Sequence, residues 1–157
     1  MNRRQIGLKL VLHELGMAPT MQSFEERLVL QKAVYLAQQL GVHLGYHFSW
    51  YLRGPYSKDL TADAYANINN SAPEGWALDA ATKEKLHEVK RLVERVRGMP
   101  NPARELEKLA SVLFVIKTGQ ATEAGAITDR MRVAGKDFNQ TEVDDAIRTL
   151  REYRAVQ

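Results

Sequence analysis

The chain has 157 residues, of which 45% are hydrophobic and 26% are charged, and it contains no cysteine. This composition is ordinary for a soluble globular protein, and the length suits one domain over residues 1–157. The lack of cysteine excludes disulfides, thiol nucleophiles and thiolate metal ligands. With 22 basic and 19 acidic residues the net charge is +3. That mildly basic balance permits contact with nucleic acid but does not argue for it.

No apolar run in the sequence approaches the ~20 residues that a membrane-spanning helix needs. The basic start, Met1 to Arg4, is followed by the polar residues Lys9, His13 and Glu14, which argues against a secretory signal. We therefore expect a cytoplasmic protein that does not enter the membrane.

The pattern of apolar residues predicts a mainly α single domain of six or seven helices. Helical spacing of leucine, isoleucine and valine predicts a first helix over residues 3–15. A second helix is expected from a capping box formed by Ser23 and Glu26 to about Leu40. It is apolar around most of its circumference, which is typical of a helix at the centre of a core. Gly41 is expected to end it.

Residues 46–52 change the pattern from helix to extended chain. Here aromatic and aliphatic residues alternate with polar ones, and this period of two predicts a short strand-like segment. The best candidate for pairing with it is the segment 75–78. Residues 53–56 are expected to form a turn, because Pro55 has a fixed φ and disfavours helix at Gly54.

Each remaining helix is introduced by a residue suited to capping its first turn. The expected helices cover about 58–68, 80–97, 102–117, 122–134 and 141–153, with the caps Ser57, Asp79, Asn101, Thr122, and Thr141 with Asp144. The helix over 102–117 has a wide apolar face and is a second candidate for the centre of the core.

The sequence contains no recognisable catalytic motif. It has no Gly-rich phosphate loop, no Gly-x-Ser-x-Gly elbow and no His-Glu-x-x-His pair. The closest histidines, His43 and His47, fall in a predicted turn and a predicted strand, and a metal site needs more ligands that converge. The neighbouring carboxylates Asp144 and Asp145 lie in the first turn of a predicted helix, where the helix dipole explains them. We therefore expect no enzymatic activity, no metal site and no cofactor.

The last two predicted helices are compatible with a helix-turn-helix. Arg148, Arg151 and Arg154 are three residues apart on the final helix and lie on or near one side of it. However, the end of this helix that would approach the bases carries Glu142 and Asp144, which would repel phosphate. Ordinary helix packing with a solvated face is the simpler interpretation.

Polar residues between Leu28 and Leu60 are the candidate site. Gln31, Lys32 and Tyr35 lie on the otherwise apolar second helix, and buried polar groups need hydrogen-bond partners. The following turn supplies the other candidates: Tyr51, Arg53, Gly54, Pro55, Tyr56 and Ser57. Two interpretations stay open. The helix residues could anchor the turn, or they and the turn could form a binding surface.

These residues also carry a family resemblance. The sequence resembles the YwgA-like bacterial family and, more distantly, the Panacea (SocA-like) antitoxin domain, over about residues 28–63. The matching motifs are Leu30-Gln31-Lys32, Tyr35-Leu36 with Gln38, Gly45-Tyr46-x-Phe48, and Tyr51-x-x-Gly54-Pro55-Tyr56-Ser57-x-x-Leu60. The resemblance implies a small helical domain that acts by binding, which in the Panacea group means neutralising a toxin protein.

We therefore expect a non-enzymatic protein-binding module, either antitoxin-like or a regulatory subunit of a bacterial or phage conflict system. The expected partner is a protein, namely a toxin or a complex subunit. A DNA-binding regulator that uses the C-terminal helices is the alternative function. Assembly into a homo-oligomer is left open.

Overall fold

Seven helices and one two-stranded hairpin make up the protein in a computed structural model that describes residues 1–157. The helices are α1 (Arg3–Glu14), α2 (Phe24–Gln39), α3 (Lys58–Ala66), α4 (Ala80–Arg97), α5 (Pro102–Lys117), α6 (Ala124–Val133) and α7 (Gln140–Glu152). The strands are β1 (Ser49–Tyr51) and β2 (Gly54–Tyr56). This confirms the predicted mainly α single domain with one short extended segment. None of the helices combines the length and the apolar character that crossing a membrane requires.

Helix α2 lies at the centre of the core, as its apolar circumference predicts. Its residues Leu30 and Val34 pack with α1, α3 and α4 in a cluster of 17 buried side chains. Its residues Tyr35 and Leu36 pack with α5, α6 and α7 in a second cluster of 18. Because α2 contributes side chains to both clusters, it joins the two halves of the core.

Four of the predicted helix caps are confirmed. Ser23, Ser57, Asp79 and Asn101 each accept a hydrogen bond from a backbone N–H in the first turn of the helix that follows. These bonds satisfy amides that have no partner inside the helix. The starts of α2, α3, α4 and α5 could therefore be located from single residues in the sequence.

The predicted caps of the last two helices are wrong. Asn139, not Thr141, caps α7, and it forms a reciprocal capping box with the side chain of Glu142. Asparagine is a stronger cap than threonine, and the spacing of three lets both side chains reach the other residue's backbone amide. Helix α6 begins after Glu123 with no side-chain cap, and Thr122 lies outside it.

The hairpin differs from both sequence predictions about its surroundings. Strand β1 pairs with β2, so that Trp50 lies opposite Pro55, and the segment 75–78 forms no strand. The turn consists of residues 52–53, whereas 54–56 is extended. The proline misled the prediction because it breaks most strands. In a two-stranded sheet each strand is an edge, and an edge strand tolerates a missing N–H.

Candidate functional site

The hairpin is tied to α2 by hydrogen bonds from side chains to the backbone of β2 and the residue after it. The amide of Gln31 donates to the carbonyl oxygen of Ser57 (2.8 Å) and accepts from its N–H (2.9 Å). The Nζ atom of Lys32 donates to the carbonyl oxygen of Pro55 (2.7 Å). The side chains of Gln31 and Lys32 thus supply hydrogen-bond partners to backbone groups that a third strand would otherwise bond. Their expected role as anchors is confirmed.

Tyr35 does not take part in this anchoring, contrary to the prediction. Its ring lies edge-on to Phe48, with the centroids 5.1 Å apart, and 6.1 Å from the ring of Phe114. It is one helical turn beyond Gln31, where α2 faces α5 and the chain leading into β1. Burial raises the pKa of the Tyr35 hydroxyl well above its ordinary value. Tyr35 is therefore a core residue.

Two buried lysines and one buried glutamate lie beneath the hairpin. Lys136 donates from Nζ to the carbonyl oxygen of Leu52 (3.0 Å) and lies 3.8 Å from the carboxylate of Glu107. Burial lowers the pKa of Lys32 to about 8, while the negative charge of Glu107 opposes this shift and the positive charge of Lys136 adds to it. Burial likewise lowers the pKa of Lys136. The backbone of the hairpin is thus held by two ammonium groups on its inner side.

Sequence reasoning did not identify Lys136 or Glu107. Lys136 follows α6 and contacts a residue 84 positions earlier in the chain, so no local pattern connects the two. Glu107 carried a weak signal, because it lies on the buried side of α5 among apolar residues. A charged residue in such a position requires a partner.

Gly54 packs directly against α5. A Cβ atom at this position would lie 2.4 Å from Oγ of Ser111, and the backbone has φ +96°, a region that residues with a side chain rarely adopt. Oγ of Ser111 is itself buried and has no hydrogen-bond partner. Only glycine fits between the hairpin and α5, so Gly54 is part of the scaffold.

An open groove of about 450 Å³ lies between the hairpin, α2 and α3, and we call it the hairpin groove. The residues that line it are Phe24, Arg27, Leu28, Gln31, Lys32, Tyr51, Leu52, Arg53, Tyr56, Thr61 and Tyr65. Four of the seven large hydrophobic side chains exposed on this chain are among them: Phe24 (54% exposed), Tyr51 (60%), Leu52 (77%) and Tyr65 (48%). Exposed apolar side chains are therefore concentrated on one surface.

The predicted site residues divide between scaffold and groove. Tyr51, Arg53 and Tyr56 line the groove, and the rings of the two tyrosines lie 5.6 Å apart. Gly54, Pro55 and Ser57 are buried behind them. One side of the hairpin packs on the core and the other faces solvent, so the scaffold interpretation holds for Gly54, Pro55 and Ser57. The binding-surface interpretation of Tyr51, Arg53 and Tyr56 stays a prediction.

The loop before α2 fixes two of the groove residues. Met21 has an unusual φ of +62°, and its carbonyl oxygen accepts from Nη1 of Arg27 (3.0 Å) and from the hydroxyl of Tyr65 (3.4 Å). The carboxylate of Glu26 accepts hydrogen bonds from the N–H groups of Thr20 and Met21. It does not bond the N–H of Ser23, so only the Ser23 half of the predicted capping box is formed. These bonds hold the outer wall of the groove in place.

A larger depression of about 880 Å³ lies between α1 and the loop after α3. Among its lining residues is Asp63, whose carboxylate accepts from Arg4 (2.9 Å), Gln5 (3.1 Å) and Tyr46 (2.8 Å). Burial raises the pKa of Asp63, but these three hydrogen bonds outweigh it and the pKa lies below its ordinary value. The fully bonded carboxylate links α1 to α3. No three His, Asp or Glu side chains of the chain are placed to share a metal ion.

Two of the three arginines predicted on the final helix are engaged within the chain, and the third, Arg154, is exposed but lies beyond the end of α7 at Glu152. Arg148 pairs with Asp145 (3.0 Å), and Arg151 donates to the backbone of the last residue (3.1 Å). Glu142, at the start of α7, is paired with Arg104 of α5. DNA binding by these helices stays a prediction that the side-chain arrangement does not support.

Comparison of the chain with protein-family models, with curated protein sequences and with solved structures finds no match. The geometry of the hairpin groove is therefore the basis for inferring what this chain does.

Proposed function

We propose that the chain is a non-enzymatic protein-binding module and that its partner docks in the hairpin groove. The observation that carries this proposal is the convergence of Phe24, Tyr51, Leu52 and Tyr65 on one groove. Single exposed apolar side chains are normal on any protein, whereas several together beside polar groups are typical of an interaction site. Tyrosine and phenylalanine are also enriched at the centres of protein interfaces.

The anchoring of the hairpin supports the same function. The hairpin backbone is bonded by Gln31, Lys32 and Lys136, so the groove exists before a partner arrives. A surface that is already ordered loses little conformational entropy on binding, and its affinity rises accordingly. The buried polar groups thus stabilise the fold and also prepare the groove.

The polar groups in the groove favour binding over catalysis. Both ends of the Gln31 amide are bonded to the backbone of Ser57, and the ammonium group of Lys32 is bonded to Pro55. No carboxylate or imidazole lines the groove. A molecule in the groove would therefore meet apolar surface, tyrosine hydroxyls and guanidinium groups, but no histidine or carboxylate, the groups that most often act as general acids and bases.

The resemblance of residues 28–63 to the YwgA-like and Panacea domains supports a narrower form of the proposal. In this form the partner is a toxin, or another subunit of a bacterial or phage conflict system, and the chain acts as an antitoxin or regulatory subunit. The resemblance includes the elements that shape the groove. Seven of the fifteen matching motif residues belong to the hairpin, to its anchors on α2 or to the residue after β2: Gln31, Lys32, Tyr51, Gly54, Pro55, Tyr56 and Ser57.

The proposal can be tested by co-expressing the chain with the product of its neighbouring gene and measuring the complex. Leu52→Glu places a charge on the most exposed apolar residue of the groove and should weaken binding by tenfold or more, as for a truncated interface hot spot. Val133→Glu is the matched control, because Val133 is similarly exposed (79%) but lies outside the groove. A complex that forms equally well with both variants would contradict the proposal.

A further inference from the structure

We infer that the hairpin groove accepts an acidic segment of the protein partner, in which carboxylate side chains flank a large apolar one. This inference rests on the proposed function and adds the chemistry of the partner to it. It follows from the distribution of charge in and beneath the groove.

The side chains that line the groove carry positive charge and no negative charge. Arg27 on α2 and Arg53 in the hairpin turn both line it, and no aspartate or glutamate does. Aromatic and aliphatic side chains lie between these guanidinium groups, and that of Arg53 lies 5.7 Å from the centre of the Phe24 ring. A complementary partner would therefore combine an apolar side chain with carboxylates.

Both guanidinium groups have donors left for a partner. Arg53 has a side chain that is 63% exposed, and its single carboxylate neighbour, Glu107, is 4.0 Å away, too far for a good hydrogen bond. Arg27 uses Nη1 for the carbonyl oxygen of Met21 and forms no ion pair. Since a guanidinium has several N–H groups arranged as a fork, each can still bind a carboxylate.

What distinguishes the groove is that its arginines lie among exposed apolar side chains, because other arginines without an ion pair, such as Arg97 and Arg154, lie outside it. Five arginines on α4 to α7 lie within ion-pair distance of a carboxylate of the chain: Arg91, Arg95, Arg104, Arg132 and Arg148. Beneath the groove, in contrast, the buried charges Lys32, Lys136 and Glu107 leave one positive charge in excess. Buried charges are screened less than exposed ones, so this excess adds to the positive potential of the groove.

The same chemistry could attract the phosphates of a single-stranded nucleic acid, with its bases stacked on the tyrosines. The protein segment is favoured because such binding needs a groove that follows the backbone with basic residues over several nucleotides. Here only Arg27 and Arg53 are available, and Leu52, the most exposed side chain of the groove, cannot stack on a base.

The test is a selection of phage-displayed random 12-residue peptides on the full chain, followed by affinity measurements with the best peptides. Peptides whose binding is lost in Leu52→Glu should be enriched in Asp and Glu beside Trp, Phe or Leu. The double variant with Arg27→Glu and Arg53→Glu should bind these peptides about tenfold or more weakly than the wild type does. It should regain affinity for peptides in which lysine replaces the acidic residues. Arg97→Glu, an exposed arginine outside the groove, is the control.

Three results would overturn the inference, and they are distinguishable. Groove-dependent peptides without acidic residues, or with affinities unchanged by the double reversal, would refute the acidic partner while the proposed function stands. Displacement of a selected peptide by a 20-nucleotide oligothymidylate at physiological salt would assign the groove to nucleic acid. A selection with no peptide sensitive to Leu52→Glu would count against the inference and the proposed function together.

Discussion

Replacing Gly54 with alanine tests the packing of the hairpin on α5. The new Cβ atom would lie 2.4 Å from Oγ of Ser111 and 3.5 Å from its Cβ, and the backbone has φ +96°. We expect about 1–3 kcal/mol of backbone strain and a similar cost for the clash, so that the free energy of unfolding falls by about 2–6 kcal/mol. Urea unfolding followed by circular dichroism measures this loss.

Ser111→Ala separates the two contributions. Its hydroxyl has no hydrogen-bond partner, so this variant alone should change stability little. In combination it should remove the clash and recover about 1–3 kcal/mol of the Gly54→Ala loss, a coupling that a double-mutant cycle detects. Gly45→Ala isolates the strain, because Gly45 has φ +88° with open space around it. If Gly54→Ala costs the same with and without the Ser111 hydroxyl, the close approach to α5 is refuted.

Three further predictions concern the buried polar groups. Gln31→Ala leaves the N–H and carbonyl of Ser57 without side-chain partners, so unfolding in urea should show a loss of about 2–4 kcal/mol. Amide exchange across the hairpin should also accelerate, and unchanged exchange would contradict the anchoring. Between pH 8 and 10.5 the unfolded chain keeps the Lys32 proton that the native state loses, since the native pKa is about 8. The free energy of unfolding of the wild type should therefore rise with pH across this range, by up to about 3 kcal/mol relative to that of Lys32→Met. If the stabilities of the two proteins changed in parallel with pH, the lowered pKa of Lys32 would be contradicted. Asp63→Asn weakens the hydrogen bonds from Arg4 and Tyr46, so the free energy of unfolding should fall by about 2–4 kcal/mol in thermal or urea unfolding. An unchanged free energy of unfolding would show that these bonds do not stabilise the fold.

The sequence was sufficient to locate the helices and two of the three side chains that anchor the hairpin, Gln31 and Lys32. Helix caps such as Ser57 and Asp79 act on the residues that follow them directly, and Gln31 and Lys32 stand out as polar residues on an apolar helix. Local patterns of this kind survive folding because the interactions they predict are formed between near neighbours or with an adjacent segment. The strand around Pro55 was missed because the tolerance of proline depends on its position in the sheet, which the sequence does not state.

The groove could not be predicted, because it depends on which apolar residues the fold leaves exposed. Phe24 begins the central helix and Leu52 ends the aromatic segment, and in the sequence both look like core residues. The structure places Phe24 at the first residue of α2 and Leu52 in the hairpin turn, and both side chains are exposed. The ionic cluster of Lys136 and Glu107 was missed for a related reason, since its members come together only when α5 and α6 pack against the hairpin.

The most direct test of the hairpin groove as the docking surface is site-specific photo-crosslinking in the assembled complex. A photoreactive amino acid at position 52 should crosslink to the co-purified partner. The same group at position 133, which is equally exposed to solvent but outside the groove, should not. Crosslinking at 133 and none at 52 would contradict the account, because the partner would then bind a different surface.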